Sequence, residues 1–151
     1  MLCLILSIVP AVSAEDLKHN VGVVATSDPL KIHMGIKPTE DNSLTFHVDI
    51  YNSGDYVEEG IALQITEAYT GHVIYSNSEQ VSLLPAGEHA LFDIVIPFDR
   101  LSNSFYCSYG NSWFTEYYQV KVVQKAYEYD SNLCNNFYYT YAFVKPYCKG
   151  I

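Results

Sequence analysis

Apolar and polar residues alternate with a period of two along much of this chain. Leu30, Ile32, Met34 and Ile36 alternate with Lys31, His33 and Gly35. Leu44, Phe46, Val48 and Ile50 alternate with Thr45, His47 and Asp49. The same rhythm runs through Ile61–Thr66, Phe92–Ile96 and Tyr118–Val122. Near the end, Phe137, Tyr139, Tyr141 and Phe143 occupy one phase, and Tyr138, Thr140, Ala142 and Val144 the other. A two-residue period puts alternate side chains on opposite faces of a strand, so each run predicts a half-buried β-strand. No run of useful length carries the helical period.

Turn chemistry separates the runs. Asn52-Ser53-Gly54-Asp55 ends one strand, Thr70-Gly71 closes a hairpin between ITEAY and HVIYS, and Leu84-Pro85-Ala86-Gly87 reads as a type I turn with Pro in its second position. Closely spaced strands without crossover helices argue for antiparallel pairing in two packed sheets, an all-β sandwich. The sandwich is expected to span residues 30–151, preceded by an extension at 15–29. Residues 97–116, PFDRLSNSFYCSYGNSWFTE, form a long connection rich in aromatics, the kind of loop that is often functional.

The opening segment, MLCLILSIVPAVSA, is apolar and ends in small residues before Glu15-Asp16. It predicts an export signal cut after Ala14, and so an extracellular or cell-surface location. The run is shorter than the about 20 residues that span a bilayer, so no transmembrane anchor is expected from it. Net charge is −9 with only eight Lys and Arg, which disfavours nucleic acid as a partner. Cys107, Cys134 and Cys148 follow the signal, and in an oxidising compartment they allow one disulfide in any of three pairings.

The block from Ser43 to Asn132 resembles a family. Its pieces read NSLTFHVDIYNSGDYVEEGIALQI, TGHVIYS, VSLLPAGEHALFDIVIPF and YYQVKVVQKAYEYDSN. In order they give a strand, an Asn-x-Gly turn, a Gly hairpin, a Leu-Pro-x-Gly-Glu turn and a Tyr-x-Val-x-Val strand. This is similar to CARDB, an immunoglobulin-like module of bacterial and archaeal cell-surface proteins. The resemblance implies an immunoglobulin-like sandwich of about seven to eight antiparallel strands. It also implies a non-catalytic role in adhesion or spacing. The long loop and the Tyr-rich end depart from the family pattern.

A search for chemistry nominates no catalytic residue. There is no Gly-x-Ser-x-Gly elbow, no phosphate-cradling Gly loop and no Cys-x-x-Cys pair. His33 and His47 would meet on the solvent face only if their strands were neighbours, and a third metal ligand is not evident. Glu40-Asp41-Asn42 and Asp130-Ser131-Asn132 read as turn formers rather than calcium loops. No cofactor and no metal is expected. The candidate binding surface is the loop group Phe105, Tyr106, Tyr109, Trp113 and Phe114, whose rings suit protein or sugar contact; the alternative is that this loop caps an end of the sandwich. The expected partner is protein, including a second copy, with carbohydrate as an alternative. A filament subunit assembling by strand complementation is a further reading, with Val21, Val23 and Val24 in the donor strand or with the strand at 137–144 in that role.

Overall fold

The computed structural model describes residues 17–34, 43–102, 107, 112–146 and 148. The expected export signal at 1–14 and the acidic turn at 40–42 lie outside them. The strands are β1 (Val21–Asp28), β2 (Lys31–His33), β3 (Ser43–Asn52), β4 (Glu58–Glu67), β5 (Val73–Leu84), β6 (His89–Pro97), β7 (Phe114–Val123) and β8 (Phe137–Lys145). They form a three-stranded sheet in the order β1-β3-β6 and a five-stranded sheet in the order β2-β8-β7-β4-β5. The result is an immunoglobulin-like β-sandwich. Every pair is antiparallel except β2 with β8, which run parallel, a departure from the all-antiparallel expectation.

The alternating phases build the core. Leu44, Phe46, Val48 and Ile50 from β3 face Ile61, Leu63 and Ile65 from β4 and Tyr118, Val120 and Val122 from β7, all buried. The rings of Phe46 and Tyr118 meet edge to face at 5.1 Å. Burying side chains of this size stabilises the fold by roughly 1.5–3 kcal/mol each.

The sandwich begins at Val21, inside the stretch that the patterning reads as an extension. β1 pairs with β3 from Val21↔Asn52 to Asp28↔Thr45, and Val21, Val23 and Ala25 are buried. Its rhythm is obscured by Gly22 and by the Val23-Val24 doublet. Gly22 stands opposite Tyr51, whose ring lies where a Cβ would be, so the aromatic covers the glycine. The chain then changes sheet at Asp28-Pro29, a cis peptide bond, so that β1 and β2 lie in different sheets.

The turn after β5 differs from the expected one. Glu88 N–H donates to the Pro85 carbonyl at 3.1 Å, and Gly87 has φ +76°. The turn therefore starts at Pro85, and its third residue has the positive φ of a type II turn. The long connection starts with a 3-10 turn, Phe98–Arg100, whose Phe98 is buried beside Leu101. Strand β7 takes over at Phe114, so the connection is shorter than 97–116.

Candidate contact face on the five-stranded sheet

Strand β8 decides which rings face water. Its inward residues are the smaller Thr140, Ala142 and Val144, all buried. Small residues fit because β1 comes close: the Ser27 hydroxyl donates to the Tyr141 carbonyl at 2.7 Å and lies 3.3 Å from Thr140 Oγ1. The two-residue period then sends Phe137, Tyr139, Tyr141 and Phe143 outward. Tyr139 is 51% exposed and Tyr141 41%.

Strand β7 extends this surface. Tyr117 lies opposite Tyr141 and Gln119 opposite Tyr139, and Gln119 Nε2 donates to the Tyr139 hydroxyl at 2.7 Å. Tyr69, from the β4–β5 turn, sits 6.2 Å from Tyr117 and 5.2 Å from Phe114. At the other side Trp113, 51% exposed, meets His33 edge-on at 6.4 Å. Lys31, Trp113 and Phe143 line a shallow groove there. Adjacent rings are tilted by 52° to 78°, so they form a corrugated surface rather than a flat platform.

Of the predicted loop group, Trp113 joins this face; Phe114 lies in the inward phase of β7, half-buried against the core, and Phe105, Tyr106 and Tyr109 lie outside the described residues. Strand β8 supplies the rings that the loop reading left out. The loop reaches the same region covalently. Cys107 is bonded to Cys148, with Cα atoms 5.4 Å apart, just beyond the end of β8. Cys134 is the leftover thiol, and it is exposed rather than buried. The start of the connection is held at an end of the sandwich. Ser102 N–H donates to Glu67 Oε1 at 3.0 Å, the Ser102 hydroxyl donates to Glu67 Oε2, and Thr70 Oγ1 donates to Glu67 Oε2 at 2.8 Å.

Charge sets this face apart. The carboxylates on β2, β8, β7 and β4 are Glu58, Glu67 and Glu116, all buried, and Glu59, which pairs with Lys125 at 3.6 Å. Outward positions on the same strands carry Lys31, Lys121 and Lys145, three of the eight Lys and Arg in a chain of net charge −9. The outer face of the three-stranded sheet is the opposite case. It shows Asp28, Asp49 and Asp93. His47 Nδ1 lies 2.7 Å from Asp93, and His89 Nδ1 lies 2.9 Å from Asp49. Leu91 and Val95 on that face are 75% and 57% exposed.

The remaining predicted groups are placed as follows. His33 and His47 belong to different sheets and cannot share a solvent face. Val21, Val23 and Val24 pair with β3 of their own chain, and the 137–144 segment sits between β2 and β7, so both donor candidates are seated in their own sandwich. Asp130 acts as a turn former, accepting from Asn132 N–H at 2.8 Å. Its other oxygen accepts from Asn136 Nδ2 at 3.0 Å and from Gln124 Nε2 at 2.5 Å. Glu58, almost wholly buried, lies 2.9 Å from His19 Nδ1, and the His19 ring stacks on Tyr56 at 4.4 Å. Both clusters fasten the segment before β1 to one end of the sandwich. Among the described residues, no group of three or more His, Cys, Asp or Glu side chains is placed to hold a metal ion. No helix among them is long and apolar enough to cross a membrane.

The architecture defines a two-sheet immunoglobulin-like module, and solved structures share it. Its fold is similar to the CARDB domain of a Pyrococcus furiosus protein. A solution structure of that domain is 10% identical, with 83% of this chain and 96% of that one covered, at a TM-score of 0.55. A crystal structure of the same domain, in complex with di-metal ions, is 13% identical, with 86% and 96% covered, at a TM-score of 0.56. A domain of a Methanosarcina acetivorans protein described as a cell-surface protein is 15% identical, with 88% and 97% covered, at a TM-score of 0.56. The likeness is one of fold: this chain has the sandwich of a CARDB domain. No family model and no curated protein matches the sequence.

Proposed function

We propose that this chain is an exported, non-catalytic module of the cell surface whose contact surface is the aromatic face of the five-stranded sheet. One observation carries the reading. Exposed rings of β7 and β8 are grouped on a face whose outward charges are mainly cationic, in a chain that is otherwise acidic. Exposed apolar surface of this kind is uncommon on proteins that contact nothing, and Tyr and Trp give contact area at low side-chain entropy cost. The apolar leader, the disulfide and the CARDB-like fold support a place outside the cytoplasm. Adhesion through this face is the role that follows.

The test is retention of the purified chain on isolated cell envelopes of the producing organism. Wild type is retained, and Tyr117→Ala/Tyr141→Ala is released. Equal retention of both would reject the face, and a protein found only in the cytoplasmic fraction would reject the location.

A further inference from the structure

The two outer faces of the sandwich differ in sign, and both expose apolar side chains. With histidines counted neutral, the three-stranded face carries Asp28, Asp49 and Asp93 around the exposed Leu91 and Val95. The β2-β8-β7 part of the five-stranded face carries Lys31, Lys121 and Lys145 around Tyr117, Tyr141 and Phe143, and the exposed carboxylates of that sheet, Glu59 and Glu79, lie away from it on β4 and β5. The β2-β8-β7 part of one face presents what the other face lacks. The two lie on opposite sides of one molecule, because their inner faces share the core.

From this complementarity we infer that the occupant of the aromatic face is a second copy of this chain, seated by its own three-stranded face. The inference rests on the contact role proposed above and names the partner. The contact is heterologous: the surface used on one copy is not the surface used on the next. Such contacts do not close on themselves by a two-fold axis and instead propagate in series. The arrangement needs no exchange of strands, so β1 and β8 stay in their own sheets. Lysines above aspartates and rings above Leu91 and Val95 give the series its polarity.

The size of the contact sets its strength. Three strands about 4.8 Å apart and nine residues of roughly 3.3 Å each give a footprint of about 14 by 30 Å. That belongs with small, transient interfaces, so association appears at high concentration and weakens in salt.

Sedimentation velocity over a wide concentration range tests this with two charge-reversed variants. Lys31→Glu/Lys121→Glu blocks the cationic face, and Asp49→Lys/Asp93→Lys blocks the acidic one. Wild type grows past the dimer as concentration rises, and added salt reverses the growth. Each variant alone stays monomeric. An equimolar mixture regains growth past the dimer, because the two intact faces match each other and the two reversed faces match each other as well. Circular dichroism checks that each variant is folded, and Asp28→Lys/Asp93→Lys replaces the acidic variant if Asp49 proves structural. Wild type that stays monomeric throughout overturns the inference, as does a variant that still associates or a mixture that fails to pair. If wild type is monomeric yet its retention on envelopes still depends on Tyr117 and Tyr141, this inference fails and the contact role stands, with an envelope glycan or protein as the occupant. If that retention does not depend on them, the contact role itself fails.

Discussion

Tyr117 of β7 and Tyr141 of β8 stand directly opposite each other across the ladder, their ring centroids 6.2 Å apart and their planes tilted by 52°. Both are exposed to more than two-fifths of their surface. A cross-strand aromatic pair of this sort contributes roughly 0.2–1 kcal/mol to the sheet. Replacing both with Ala therefore lowers stability by about 1 kcal/mol. The expected loss of envelope retention is about thirtyfold or more, the signature of interface anchors worth 2 kcal/mol or above. Thermal melts and binding isotherms on the same preparations separate the two effects.

Gly54 is fixed by close approach. A Cβ there would lie 2.5 Å from the Lys18 carbonyl oxygen and 2.7 Å from Asn20 N. The surrounding backbone is already bonded, Ser53 N–H to Asn20 O at 3.0 Å and Asp55 N–H to Lys18 O at 2.7 Å. Gly54→Ala must push the segment before β1 away, at a cost of about 1–3 kcal/mol. Gly71→Ala has open space and loses only the ease of its φ of +70°, about 1 kcal/mol. Denaturant midpoints of the two variants should rank in that order.

The Cys107–Cys148 bridge spans 41 residues of sequence. Loop-closure entropy assigns a cross-link of that span roughly 4 kcal/mol. Cys107→Ser/Cys148→Ser should lose much of that in urea unfolding, and reductant should lower wild type to the same midpoint. Cys134→Ser, at an exposed and unbridged position, should change nothing measurable.

Glu58 is almost fully enclosed, and His19 Nδ1 lies 2.9 Å from it. His19→Ala leaves the carboxylate buried without that partner and should cost about 1–3 kcal/mol. Glu58→Gln removes the charge, so the double variant should lose less than the sum of the singles. A thermodynamic cycle from denaturant unfolding reads the difference.

Much of the architecture was legible because it rests on local rhythm. β3, β6 and β7 are plain two-residue alternations, and Gly71 marks its hairpin. β1 was hidden because Gly22 contributes no side chain and Tyr51 fills its place from across the sheet. Most of β5 was missed because an edge strand with Ser76, Asn77, Ser78 and Glu79 has no apolar face to display. The parallel pairing of β2 with β8 is a contact between distant segments, and no local pattern encodes it. The site was half legible. The alternation of Phe137, Tyr139, Tyr141 and Phe143 is plain, but large rings are normally assigned to the core. Only the approach of Ser27 to Tyr141 shows why the small residues turned inward. The meeting of Lys31, Trp113 and Phe143 likewise needs the β2–β8 register.

The most direct test of the contact face is side-chain footprinting of the chain free and bound to envelopes, read by mass spectrometry. Protection of Trp113, Tyr117, Tyr139 and Tyr141 on binding, with the edge residue Leu83 still labelled, is the predicted result. Equal labelling of those four rings in the free and bound states would contradict it.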